Sequence, residues 1–460
     1  MRAVSPSVTI PDCASLHPRY ALPCAGMSSI SRRDFLNGVA LTIAAGLTPA
    51  EQIAAEPARY PPALTGLRGQ HPGSFETAHA QAREPARFAV DGLPIEERYD
   101  LVVIGGGISG LAAAWFYRRA AGPSARILVL DNHDDFGGHA KRNEFTHDGR
   151  LIIGYGGSES IDGPNTHYSD IAKGLLRDLG VSVERFETAF ERTLYPSLGL
   201  SRGTFFAREA FGRDLLVAGA PPPTGIDEAS RRLANAKPLA EFVAGFPIAA
   251  ESKAQLIALY DEARDPLAGR TIEEKIRVLK STSYRDYLTK VWGCSEEVAN
   301  CFQGRTLGFF GLGCDAVPAA DARDLGYPGF AGLGLPVQAG AREPYIYHFP
   351  DGNASLARLL VRSLVPAVAR GEGMDDVVLA AFDYGALDQD GQAVRIRLDS
   401  TCVDVRSAAD GVLVSYVRAG AVHRVAAKHA VLACFHMVIP HIMAELPAEQ
   451  RAALARNVKT

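Results

Sequence analysis

The positions best suited to do chemistry in this chain are glycines. In "RYDLVVIGGGISGLAAAWFYRRA", residues 98–120, Gly105, Gly107 and Gly110 hold a GxGxxG spacing between an apolar run and a helical pattern. Backbone without side chains at such a turn lets a diphosphate reach peptide N–H groups, and the helix behind it adds the positive end of its dipole. The three glycines differ in what they allow. Gly105 makes the tight turn, Gly107 admits the diphosphate, and Gly110 lets the helix pack closely on the sheet. Ser109 belongs to the same loop and counts with the binding residues. Asp131, about 20 residues beyond the loop, ends the next apolar run, where a carboxylate accepts hydrogen bonds from ribose hydroxyls. A second pair, Gly137 and Gly138, follows in "DNHDDFGGHAKRNEF". A lone glycine pattern carries little weight; strand, helix, second strand and acidic tip in order point to dinucleotide binding.

The elements that must position these residues are readable. Tyr99 to Ile104 reads as a buried parallel strand, Ile108, Leu111, Ala112 and Trp115 share one helical face, and Arg126 to Leu130 is the second strand of a βαβ unit. Residues 97–165 therefore form the first part of a Rossmann-like domain. Residues 166–350 turn helical, with helices expected over Tyr168–Leu179, Ala249–Ala263, Ile272–Leu279, Tyr284–Trp292 and Glu296–Phe302. One more helix, Asn353 to Arg370, leads into short alternating strands, "AVRIRL", "CVDVRS", "GVLVSYV", "HRVAAK" and "AVLACF". Residues 351–436 thus return to the first domain, and the helical block reads as an insertion. The fold class expected is α/β with an inserted, mainly helical substrate domain.

With 460 residues, 47% hydrophobic content and a formal charge of -4, the chain has the bulk of a globular protein of two or three domains. No basic stripe invites nucleic acid. Seven cysteines fall in no CxxC, CxxCH or zinc spacing, which argues against a structural zinc site and a covalently held c-type haem. Near the start, Arg32 and Arg33 precede the mild apolar run Val39 to Leu47, the layout of a twin-arginine export signal within residues 1–55, too weakly apolar for a stable membrane span. Met27 would make a more usual start than Met1. A periplasmic location is expected, reached after folding around a cofactor. Residues 56–96, rich in Pro, Ala, Gly and Arg, read as an arm lying over the surface.

The second glycine pair resembles the signature of the GG-doublet flavoproteins, a superfamily that includes amine oxidases, protoporphyrinogen oxidases and carotene desaturases. The resemblance implies a Rossmann-like fold of the FAD/NAD(P)-binding type and FAD as cofactor, with Gly137 and Gly138 beside its diphosphate. Where that superfamily has Arg after the doublet, this chain has His139, with Lys141 and Arg142 further on, so the basic partner of the diphosphate stays open. "IIGYGGSES" resembles the segment whose glycines, here Gly156 and Gly157, run close to the isoalloxazine ring. "STCVDV" resembles the strand whose valine, here Val403, meets adenine through its backbone; plain strand core is the alternative. Ala433 and Cys434 end the strand expected to return beneath the cofactor.

Longer strings, "KSTSYRDYL", "QGRTLGFFGLGCDAVPAADARDLGYPGFAGLGLP", "YHFPDGNASLARLLVRSLVPAV" and "ACFHMVIPHIMAELPAEQ", are similar to the bacterial spermidine dehydrogenase family. That resemblance implies an exported FAD enzyme cleaving spermidine to 1,3-diaminopropane and 4-aminobutanal, some members also carrying haem b; a GG-doublet oxidoreductase acting on a different amine or an unsaturated lipid is the alternative. Glu159 and, after it, Asp162 in "GSESIDGP" are candidates to contact substrate or flavin; a helix cap and a turn are the structural alternatives. Aromatics in "YRDYL", "GFFG" and "YIYHF" would wall an alkyl channel or belong to the core. His436, Met437, His441, Met443 and His348 are of the right types for an axial haem ligand, and none is assigned. The electron acceptor is left open. GG-doublet proteins also carry a glycine–acid segment near the C-terminus that is not found before "AALARNVKT". Residues 437–460 are accordingly expected to begin a further segment, a partner completing the site or the chain binding a dinucleotide without turnover being the alternatives.

Overall fold

The computed structural model describes residues 60–64, 71, 73–83, 88–191, 193–200, 202–219, 237–260, 263–336, 343 and 345–456. The expected export signal lies outside them. At the centre is a six-stranded sheet of order β7-β2-β1-β10-β9-β8, made of β1 (Glu97–Ile104), β2 (Ile127–Leu130), β7 (Val394–Arg397), β8 (Ser400–Ala408), β9 (Gly411–Arg418) and β10 (Ala421–Leu432). Strands β7, β2, β1 and β10 pair in parallel, and β9 and β8 continue antiparallel. The sheet therefore draws on both sequence regions that flank the helical block.

Alternation explains why β1 is apolar throughout. Leu101 and Val103 enter one core with Ile127, Val129 and Ile396, while Val102 and Ile104 enter another with Leu128, Leu130 and Val414. A parallel strand buried on both faces needs no polar side. The first core is closed by two helices, Ile108–Ala121 and Ala354–Leu364, through Leu111, Ala114, Ala357 and Leu360. The latter helix ends at Leu364, with Val365 as its C-cap directly before Pro366, because proline cannot continue the hydrogen-bond ladder.

The helical block has a separate core built on Phe242, Leu279, Tyr284, Tyr287, Trp292, Phe302 and Phe330. Helix Ile272–Ser281 opens with a capping box, Thr271 and Glu274 each satisfying the other's backbone N–H. The expected helix Tyr284–Trp292 is a short α turn, Tyr284–Asp286, that widens into a π turn, Tyr287–Val291. Two hairpins were not expected from the sequence: β3 (Arg142–His147) with β4 (Arg150–Tyr155), and β5 (Gly203–Phe206) with β6 (Leu215–Ala218).

The arm is seen in part. It contains the helix Glu76–Ala82 and is fastened to the body by hydrogen bonds that include Tyr60 Oη to Glu144 at 2.7 Å, Asn132 Nδ2 to the Ser74 carbonyl at 2.7 Å and Gln81 Nε2 to the His441 carbonyl at 2.8 Å. Among the described residues no helix is long and apolar enough to cross a membrane.

Candidate functional site

The crevice outside the carboxyl ends of parallel strands is where an open α/β sheet binds ligands. Here the chain segments leaving β1, β2 and β10 meet around a cleft of about 450 Å³, within the size range of ligand pockets. Its lining includes Gly105, Gly107, Ile108 and Ser109 after β1, Asp131, Asn132 and His133 after β2, Gly137, Gly138 and His139 at the doublet, and Ala433 to His436 after β10.

The two glycine segments are one structure. The Gly137 N–H donates to the Gly106 carbonyl at 2.8 Å, and Gly107 and Gly137 form an isolated parallel bridge. Close approach is the reason for glycine at two positions. A Cβ on Gly110 would lie 1.9 Å from the Gly105 carbonyl oxygen, and one on Gly105, whose φ is +112°, would lie 2.5 Å from the Ala433 carbonyl oxygen. Gly107 differs: it is the N-cap of helix Ile108–Ala121 with φ -70° and ψ 174°, and a Cβ there would sit 3.6 Å from Gly138 Cα, in ordinary contact. A side chain at Gly107 would fill the gap between the loops without disturbing either. The first turn of the fourteen-residue helix presents its unpaired N–H groups at this place.

Asp131 is buried, but its carboxylate is engaged differently from the sequence expectation. Oδ2 accepts from Gly106 N at 2.7 Å and Oδ1 from His133 N at 2.8 Å, so the side chain braces the glycine loop against the β2 loop. It remains part of the cleft wall, and each oxygen keeps a second lone pair for a ribose hydroxyl.

Behind the doublet lies a buried polar support. Tyr384 Oη donates to Asp135 Oδ1 at 2.6 Å, its ring stacks on Phe136 at 5.4 Å between centroids, and burial, then the Asp135 charge, pushes its phenol well above the usual range. Lys141 Nζ donates to the Asp135 carbonyl at 2.8 Å. Arg142, 4% exposed, is held by Glu144 at 2.7 Å and by the fully buried Asp351 at 3.0 Å. Both residues are thus committed to holding the loop.

The remaining expected residues fall in two groups. Gly156 and Gly157 pack on the His139–Lys141 backbone, Gly156 N donating to the Lys141 carbonyl at 2.9 Å, and the next residue, Ser158, lines the cleft. Glu159 is outside the lining; its Oε2 accepts from Tyr345 Oη at 3.1 Å, and the carboxylate also raises the pKa of the exposed Tyr155. It caps no helix. Asn353 ties this segment down through Ser158 Oγ and the Ser160 carbonyl, both at 2.9 Å. Val403 sits in a small apolar core with Val90 and Val417, its carbonyl accepts from Gln81 Nε2 at 3.1 Å, and it is not among the residues lining this cleft. A bulge between Cys402 and Asp404 sets it out of the ladder.

Asn132, His133 and Phe435 were missed by sequence reasoning, although the residues directly after two strand ends are the ones a crevice of this kind must use. His133 Nδ1 lies 3.3 Å from His71 Nε2, and burial, first among several effects, lowers its pKa. Cys434 is a lining residue whose thiol burial pushes up to about 11, so it is protonated and inert at neutral pH. Of the histidines considered for haem, His436 belongs to the cleft and His348 stands edge-on to Phe190. Among the described residues no group of three or more His, Cys, Asp or Glu side chains is arranged to hold a metal ion.

Residues 103–175 match the family described as NAD(P)-binding Rossmann-like domain. Over 88 residues the chain is 36% identical to Oxidoreductase PigB of Serratia sp. (strain ATCC 39006), a stretch covering 18% of this chain and 12% of that protein. Among solved structures, a putrescine oxidase triple mutant redesigned in cofactor binding aligns with 19% identity and a TM-score of 0.38, covering 78% of this chain and 63% of that one. A CLA-producing fatty acid isomerase from P. acnes aligns with 12% identity and a TM-score of 0.35, covering 78% and 64%. The chain thus spans less than two thirds of each of these proteins. The architecture stands on its own strand order and register: an α/β chain with a parallel-sheet, Rossmann-like domain.

Proposed function

We propose that this chain binds FAD in the cleft between its two glycine loops and belongs to an oxidoreductase acting on amines, with spermidine as substrate. The observation that carries the reading is the closed pair of glycine segments, Gly105–Gly110 and Gly137–Gly138, bridged to each other at the end of a parallel sheet. The fit to a dinucleotide rests on the gap that a Cβ at Gly107 would fill and on the helix N-terminus behind it. Gly105, Gly107, Ser109, Gly110, Gly137, Gly138 and His139 would hold the diphosphate, Asp131 the ribose, and Gly156 and Gly157 would carry the backbone past the ring.

When bound, the flavin supplies the capacity to take a hydride equivalent from the carbon next to a nitrogen. The chain's own part is to orient and to exclude water. Glu159, between Tyr155 and Tyr345, is the candidate to receive an ammonium group of the substrate. Oxidation beside the secondary nitrogen of spermidine gives an imine, which water splits to 1,3-diaminopropane and 4-aminobutanal. Export by the twin-arginine route to the periplasm belongs to the same reading, supported by Arg32, Arg33 and the apolar run after them.

Anaerobic titration tests this directly. The purified protein, loaded with FAD, should show a flavin spectrum that bleaches on adding spermidine. A flavin band unmoved by spermidine but bleached by another amine would replace the substrate; one unmoved by any amine would end the amine reading. A second reading follows from the matched family's description: NAD(P) in the same cleft. Tighter binding of NAD+ than of FAD by the apoprotein would favour it.

A further inference from the structure

We propose that His139 is the cation that meets the diphosphate in this chain, so that pH sets how tightly the nucleotide is held; this rests on the dinucleotide reading of the cleft.

A diesterified diphosphate keeps its negative charge across neutral pH. Backbone amides and a helix end offset part of that charge, and a full cation nearby offsets more. Lys and Arg are the usual suppliers, yet among the described residues lining the cleft none is Lys or Arg. The nearest in sequence are occupied. Lys141 is bonded to the Asp135 carbonyl, and Arg142 is locked between Glu144 and Asp351. Turning Arg142 toward a ligand would strand Asp351, 0% exposed, as a buried unpaired charge, which is costly.

Three imidazoles remain in the wall, at His133, His139 and His436. His133 faces a second imidazole, His71, at 3.3 Å, and its burial disfavours the charged form. His436 lies in the segment that follows β10, further from the glycine doublet in the chain. His139 comes directly after Gly138, at the point where the two glycine loops touch, with its ring exposed and tilted against Phe435 at 5.8 Å between centroids. Its backbone is fixed from behind, since a Cβ on Gly157 would lie 2.6 Å from the His139 carbonyl oxygen. The titratable groups sharing its cleft are Asp131, His133, His436 and the protonated thiol of Cys434.

An imidazole changes charge between about pH 5 and 8, where lysine and arginine do not. Nucleotide affinity should therefore be highest in mild acid and fall as pH rises. The test uses the full chain stripped of nucleotide, titrated across that pH range with FAD and with ADP-ribose, which carries the same kind of diphosphate and no flavin. For the wild type, Kd of both probes should rise by about tenfold from the acid to the alkaline limb. His139→Gln should bind at the weak limit at every pH, and His139→Arg at the tight limit at every pH. Parallel profiles for wild type and His139→Gln, or a pH slope retained in His139→Arg, overturn the assignment. Failure of the wild type to bind either probe at any pH, with native circular dichroism, overturns the dinucleotide reading beneath it.

Discussion

Replacing Gly107 by alanine separates a binding glycine from a structural one. Its φ of -70° and ψ of 174° suit any residue, and the added Cβ would meet Gly138 Cα at 3.6 Å, an ordinary contact. On the fold, two small effects oppose each other. Alanine removes unfolded-state freedom, a gain of about 0.4–1 kcal/mol, and is a poorer N-cap than glycine by a similar amount. The apoprotein's Tm should then move by less than about 2 °C. The methyl group nevertheless narrows the gap through which a diphosphate reaches the loop amides. Losing one hydrogen bond to a charged group costs about 1.5–3 kcal/mol, which is roughly 10- to 150-fold in Kd. Fluorescence titration with FAD beside thermal unfolding of the apoprotein measures both quantities on one preparation. Unchanged FAD affinity would refute the cradle; a Tm lowered by many degrees would show that Gly107 is structural.

Gly110→Ala should behave in the opposite way, because its Cβ would lie 1.9 Å from the Gly105 carbonyl oxygen and 3.0 Å from Val103 Cγ1: a loss of about 3 kcal/mol, read as a lower urea midpoint, is expected, and a wild-type midpoint would contradict the packing. Asp388 accepts from Arg397 Nε at 2.7 Å, and although burial alone would raise its pKa, Arg397 and Arg395 bring it below the usual aspartate value. Its stabilising share is therefore present at neutral pH and lost as pH falls below about 4 through the folded-state value. Asp388→Asn should cost about 3–5 kcal/mol at pH 7 and much less at pH 3 by urea unfolding; equal costs at both would dismiss the ion pair. Glu159→Gln should slow anaerobic bleaching by spermidine at least about tenfold while FAD binding holds, and an unaltered bleaching rate would release Glu159 from substrate contact.

Sequence and structure agree best where burial forces one pattern. The run Tyr99 to Ile104 and the glycine spacing behind it locate β1, the helix and the cradle, since a strand buried on both faces admits only apolar residues. The β3–β4 hairpin was legible but unread: Asp148 and Gly149, with φ 48° and 73°, are the Asp-Gly pair of a two-residue turn. "HRVAAK" and "AVLACF" look like two strands, but β10 runs unbroken from Ala421 to Leu432, paired with β9 over Ala421–Ala427 and with β1 over Val425–Leu432, an overlap no local pattern encodes. The partners of Asp131 and Val403 were beyond local reading for a related reason. Asp131 is claimed by amides whose direction depends on how two loops fold together, and Val403 by Gln81, more than three hundred positions earlier.

Strand β1 lies in register with β10, Ile104 opposite Leu432. A ribosome making roughly 5–20 residues per second releases the second wall on the order of tens of seconds after the first. For that interval the newborn polypeptide carries half a crevice and an unclaimed β1 edge, an invitation to wrong pairing. The nucleotide proposed for this cleft, supplied during synthesis, would find nowhere complete to settle, so holdases that cover this edge, more than extra cofactor, should raise the yield of usable protein.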